Sequence, residues 1–233
     1  MPRPPKRPHA VWFEPSERPR RPRLSRERIV AAAVELLDAE GESGFSMRRL
    51  AARLGSGVMS LYEYVGSRED LLDLTVDHVM GEVRIDGGPE GPWREVLAWQ
   101  LTQSREVMRH HPWLPGLVAT RPVLGPNALA RSELFYGTLT RAGLRGPRLI
   151  AAVGTLVYYA QGYAAAENAW RAWLRDPADE SELRRQAMEY VAERAELYPT
   201  LTAQAQLDID DFEGQFLLGL ETILDGIEAS LGP

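Results

Sequence analysis

Beyond Leu24, apolar residues recur at spacings of three and four, and no stretch alternates them singly with polar ones. A chain patterned this way folds into helices that each bury one face, and no segment reads as a strand. The fold class is therefore all-α. Hydrophobic residues make up 44% of the 233 residues and charged residues 26%, which is enough apolar material for a real core.

Helix starts and stops can be placed from the capping residues. Ser25 is an N-cap, with Leu24 and Ile29 at the staple positions, and Ile29, Val30, Ala33, Leu36 and Leu37 form one apolar face that Gly41 ends. A second helix follows Ser46 and stops at Gly55. A short third helix spans 58–64, and a fourth starts at Ser67 with Asp70 three residues on. The run Asp86-Gly-Gly-Pro-Glu-Gly-Pro92 is the clearest break, and the domain boundary falls there. Further helices are predicted near 92–110, 126–142, 147–175, 180–197 and 209–230, with a bend from His111 to Pro115. This divides the chain into an arm over 1–23, a small domain over 24–84 and a larger helical domain over 92–230.

The chain lacks cysteine, which excludes disulfides, thiolate metal sites and cysteine nucleophiles. No apolar run approaches the roughly 20 residues of a membrane span, and the basic N-terminus lacks a secretory apolar region; a cytoplasmic protein is expected. Net charge is −6, but residues 1–24 carry seven basic and two acidic groups, leaving −11 for the remainder. Residues 1–23 also hold seven of the 17 prolines. Such an arm, disordered in isolation, fits a polyanionic partner or a solvated tail. The histidines are His9, His78, His110 and His111; none falls in a metal-binding helix motif, and exposed loop or helix-end positions are expected for them. No serine nucleophile motif and no phosphate-binding glycine loop is present, so neither an enzyme nor a metal or cofactor site is expected.

The informative stretch is 45–68. Two short helices meet across Gly55-Ser56-Gly57, a turn that lets the second project from its domain. Leu50, Leu54, Leu61 and Val65 lock the pair against the first helix, leaving Met59, Ser60, Glu63 and Tyr64 outward. An outward Met and Tyr fit a partner surface such as a DNA major groove, while an ordinary helical hairpin is the plainer alternative.

Taken together, Ser25-Arg-Glu-Arg-Ile-Val-Ala-Ala-Ala-Val-Glu-Leu-Leu-Asp-Ala-Glu-Gly41, Met47-Arg-Arg-Leu-Ala-Ala-Arg-Leu-Gly55, Ser60-Leu-Tyr-Glu-Tyr-Val65 and Ser67-Arg-Glu-Asp-Leu-Leu72 resemble the tetracycline-repressor (TetR) family. The resemblance extends more weakly to Trp173-Leu-Arg-Asp-Pro177, Tyr198-Pro199 and the run from Phe216 to Glu228. It implies an N-terminal three-helix DNA-binding domain with a helix-turn-helix and a C-terminal helical domain for ligand binding and dimerisation. It also implies a repressor that binds a two-fold operator as a homodimer and is released by a small-molecule effector, the alternatives being an activator of the same fold or a helical adaptor that kept the hairpin as scaffold. Ser46, Arg48, Val58, Met59, Ser60, Tyr62, Tyr64 and Arg68 would contact DNA. Of these, Val58, Met59 and Ser60 would meet base edges, Arg48 a phosphate or a base edge, and the two tyrosines and Arg68 phosphates. Residues 25–82 hold six arginines against eleven acidic groups, so the arm is expected to supply part of the affinity.

In the larger domain the run 149–160 is apolar on nearly all faces, and Phe212, Phe216, Leu220, Ile223, Leu224 and Ile227 form a seam on the last helix. These helices, with Leu156, are expected either to make a two-fold four-helix interface or to pack the protomer core. Trp99, Gln103, Met108, Trp113, Phe135, Tyr158 and Gln161 are candidate lining for a cavity that takes an apolar or aromatic effector. At helical spacing, such residues also simply fill a core.

Overall fold

In a computed structural model the described residues are 24–86, 88–173, 177–204 and 211–231; the arm expected over 1–23 lies outside them. They form eleven helices: α1 (Arg26–Gly44), α2 (Met47–Arg53), α3 (Val58–Tyr62), α4 (Arg68–Met80), α5 (Trp93–His110), α6 (Leu114–Thr120), α7 (Pro126–Ala142), α8 (Gly146–Trp173), α9 (Pro177–Ala192), α10 (Pro199–Gln204) and α11 (Phe212–Ala229). No strand occurs among the described residues.

The serine caps act as their positions imply. Ser25, Ser46 and Ser67 accept hydrogen bonds from the backbone N–H of Arg28, Arg49 and Asp70, each satisfying one of the donors that a helix start leaves free. Gly41 takes the expected left-handed backbone, φ +67°, yet the chain resumes a helical turn to Gly44 rather than stopping there. The third helix is shorter than its pattern, ending at Tyr62. Pro177 opens α9, a first-turn position that proline tolerates. Two helices escape the sequence pattern: α6, directly after the bend at His111, and α10, begun by Pro199. Each is no longer than two turns, too short to display a helical period.

Helices α1 to α4 bury Ile29, Leu36, Leu37, Leu50, Leu61, Leu71 and Leu72, and that cluster continues through Met108, Trp113, Leu114 and Leu117 to Ala164 on α8. The N-terminal helices thus share one apolar core with the last turn of α5, α6 and Ala164 of α8. A second cluster, from Leu97 and Leu101 through Phe135, Leu139 and Leu156 to Phe216 and Leu224, joins α5, α7, α8 and α11. Long helix α8 lies at the centre, packed on α5, α6, α7 and α11. Helices α9 and α10 pack on each other and leave Tyr190, Leu197, Tyr198 and Leu201 exposed.

Candidate nucleic-acid interface and its ties to the C-terminal helices

The α2–α3 turn is built by Gly55 at φ +62°, a backbone state costly for any residue with a Cβ. The Ser56 N–H donates to Ala51 O at 2.9 Å, reversing the chain, and Gly57 caps α3. Leu61 and Val65 are buried against α1 and fix the rotation of α3. Met59 is consequently 76% exposed, with Tyr62 and Tyr64 outward beside it and Val58 and Ser60 half-buried.

Three arginines on α2 have different fates. Arg49 pairs with Glu40, and Arg53 with Glu35 at 2.8 Å, so both are spent on α1. Arg48 is exposed and makes no ion pair among the described residues, which leaves its guanidinium available to a partner. Arg26 donates to Tyr64 O at 3.2 Å and holds the end of the α3 turn against α1. Arg68, at the first turn of α4, lies 5.6 Å from the Phe45 ring and pairs with Glu69 at 2.7 Å. Glu69 also pairs with Arg121, and hydrogen bonds from Arg121 and then Arg68 hold its carboxyl below the usual range.

Helix α4 is tied to the C-terminal helices at both ends. Near its C-terminal end, the Asp77 carboxylate accepts from the backbone N–H groups of Ala128 at 3.0 Å and Asn127 at 3.4 Å, and so caps α7 from a different helix. Asn127 returns the contact through Nδ2 to Asp77 O at 3.0 Å. At the other end, Arg121, which follows α6, bridges Glu69 and Asp73. A third tie runs from the bend after α5. His111 places Nδ1 2.7 Å from Asp38 on α1 and Nε2 3.1 Å from Glu82 just past α4, and Trp113 Nε1 donates to Asp38 at 2.6 Å. His111 is 3% exposed, correcting the expectation of a surface histidine. Two carboxylates remote in the chain, one on α1 and one just past α4, hold it, and no local pattern reveals them. Asp77 and Arg121 were likewise missed, because their partners lie 48 to 52 residues away.

The candidate cavity residues do not converge. Met108 and Trp113 fill the first core, and Phe135 the second. Gln161 donates to Pro115 O at 3.0 Å, bracing α8 on α6. Trp99 and Gln103 are half-buried on α5. Tyr158 is 73% exposed and faces away from both cores, a correction caused by α8 being apolar all round, so that its sequence carries no phase. The expected dimer seam divides, with Ile223 and Ile227 lining a groove open to solvent. Leu156, Phe216, Leu220, Leu224 and Ile227 are buried within one protomer, where Leu156 and Phe216 are fully covered, and Ile223 is half-buried. A residue without exposed surface has none left to bury against a second chain. The outward residues on these helices are Ile150, Tyr158, Leu217 and Leu218, beside an open groove of about 630 Å³ floored by Ala151, Thr155, Thr222 and Gly226. Sequence reasoning also missed the buried cluster in which Glu167 accepts from Arg105 at 2.9 Å and Arg171 at 2.8 Å, joining α5 to α8.

Comparison with known proteins agrees with this arrangement. The family described as bacterial regulatory proteins, tetR family, matches residues 29–74, and that described as tetracyclin repressor-like, C-terminal domain, matches 87–231. An HTH-type transcriptional regulator of Saccharopolyspora erythraea is 39% identical over 228 residues, covering 97% of this chain and 94% of that protein. The HTH-type transcriptional repressor DrrR1 of Streptomyces coeruleorubidus is 35% identical over 219 residues, covering 92% and 80%. The structure of the TetR family protein ActR of Streptomyces coelicolor in complex with actinorhodin matches with a TM-score of 0.80 at 31% identity, over 91% of this chain and 100% of that one. The chain belongs to the TetR family of helix-turn-helix transcriptional regulators.

Proposed function

We propose that the protein is a cytoplasmic repressor that binds a two-fold operator as a homodimer through its two α3 helices and leaves it when a small molecule enters the C-terminal helices. The carrying observation is the exposed Met59 on a helix whose other side is locked by Leu61 and Val65, together with an exposed Arg48 that makes no ion pair among the described residues. In this reading Val58 and Met59 make apolar contacts in the major groove, with thymine methyls for instance, and Ser60 hydrogen-bonds base edges. Arg48 reads a guanine or grips a phosphate, and Tyr62 and Tyr64 donate their hydroxyls to phosphates. Ser46, as N-cap, sets the angle of α2, and Arg68 exchanges Glu69 for a phosphate. ActR is a relative seen with a bound small molecule, which supports a ligand-responsive reading here.

The ties from Asp77, Arg121 and His111 give the response a route. A ligand that displaces α6 and α7 drags α4, and α4 carries the helix-turn-helix with it. The shift extends only as far as the ligand binds the DNA-incompetent arrangement more tightly.

Selection of bound fragments from random DNA by the purified protein tests the reading, and a two-fold symmetric motif is the expected result. The double substitution Met59→Glu with Ser60→Glu abolishes that binding while leaving the circular-dichroism melt unchanged. Retention of operator binding by this variant refutes the placement of α3 in the groove.

A further inference from the structure

A guanidinium sealed inside the C-terminal helices has no counter-charge. Arg131, on the inner face of α7, is 7% exposed, and its Nε has no hydrogen-bond partner. No carboxylate pairs with it among the described residues, and its guanidinium carbon lies 5.4 Å from the centre of the Phe135 ring. Burial alone, unopposed by any neighbouring charge, lowers its pKa to about 10, so it stays cationic at neutral pH. The other buried arginine of this region, Arg105, is by contrast paired with Glu167 and Glu213. An unpaired buried cation is costly, and ring contact offsets only part of that cost.

The surroundings hold a second unsatisfied group. One turn before Arg131 on the same face, Asn127 lies against Gly81, Arg84, Ile85 and Asp86. Gln100 of α5, itself 1% exposed, donates to Arg84 O at 2.9 Å, and its Oε1 is left without a partner. Gln100 and Arg131 thus stand unsatisfied on α5 and α7, two helices that pack together.

We propose that the effector of this regulator is an organic acid whose anionic group pairs with Arg131, so that Arg131 sets effector charge. This rests on the ligand-responsive reading above and deepens it by naming the chemical class. The position is suited to signalling, because α7 is the helix whose first turn Asp77 of α4 caps. A ligand drawing Arg131 towards itself pulls on the residues that hold α4.

The test uses the full chain and matched pairs of probes: benzoate, 2-naphthoate and anthraquinone-2-carboxylate, each against its neutral carboxamide, by titration calorimetry at pH 7.5. For at least one pair the wild type prefers the acid by about tenfold or more, the worth of one charge-assisted hydrogen-bonded pair, and Arg131→Met reduces that preference to about twofold or less. No acid preferred by the wild type, or a preference that survives Arg131→Met, overturns the proposal. Without ligand, R131M melts at or above the wild-type temperature, because the flexible apolar methionine, although shorter, removes an uncompensated buried charge. A melting temperature clearly below wild type reveals a structural partner for Arg131 and likewise overturns it. Operator binding measured on the same samples separates the two readings: a wild type that ignores every duplex defeats the regulator reading, whereas the acid preference is scored independently of DNA.

Discussion

Each residue of the helix-turn-helix carries a distinct physical load, and Ser56 carries one that is unfavourable. Its backbone N–H closes the turn, but its hydroxyl is shielded from water and without a hydrogen-bond partner. Ser56→Ala removes that stranded group and keeps the backbone bond. The substitution is expected to stabilise the protein by about 1 kcal/mol, seen as a rise of roughly 2–4 °C in the melting temperature. A fall would mean that the hydroxyl is satisfied in solution. What could be read at this scale was whatever is local. Ser46 and Ser67 cap helices three residues ahead of them, and Met59 faces out because Leu61 and Val65 must face in. What could not be read depends on partners far along the chain. Arg48, Arg49 and Arg53 are alike as sequence, and only Glu35 and Glu40 on another helix decide that Arg48 is the free one.

Between elements, the decisive contacts are polar and few. Helix α7 has Gly125 at its N-cap, which offers no side chain to its free N–H groups, and Asp77 of α4 supplies the missing acceptor. Asp77→Ala removes that cap and is expected to cost about 1–2 kcal/mol in chemical denaturation, and Asp77→Asn, which keeps one oxygen, costs less. The substitution also cuts a route by which α7 moves α4, so D77A should bind operator and respond weakly to effector. A D77A variant with wild-type stability and full effector response would show that the cap is incidental. At this scale most helix spans were legible, since glycine, proline and caps mark them. The faces of α8 were not. Its apolar residues surround the helix, so only the neighbouring α5, α7 and α11 determine that Leu156 points into the core and Tyr158 out of it.

The whole molecule has to present α3 twice, at a spacing of roughly 34–36 Å along the duplex, and this requires a pair of chains held rigidly about a two-fold axis. The surface best shaped for that is what α8 and α11 leave uncovered. Small residues Ala151, Thr155, Thr222 and Gly226 floor a shallow groove, and Ile150, Tyr158, Leu217 and Leu218 stand exposed on the same two helices. Small floors allow close helix approach, and the exposed apolar side chains supply the area that a stable interface must bury. Leu218, 70% exposed in the protomer, stabilises nothing within one chain, so Leu218→Arg should leave the fold intact. Placed against its symmetry copy, the same arginine buries like charge in an apolar interface. The expected outcome is a single-chain mass by light scattering at micromolar concentration, an unchanged helical spectrum, and operator affinity reduced by at least about 100-fold, since each half-site is then bound alone. If the variant remains a dimer, the two-fold axis lies elsewhere, and the exposed Tyr190 of α9, Leu201 of α10 and Tyr198 between them become the next surface to substitute.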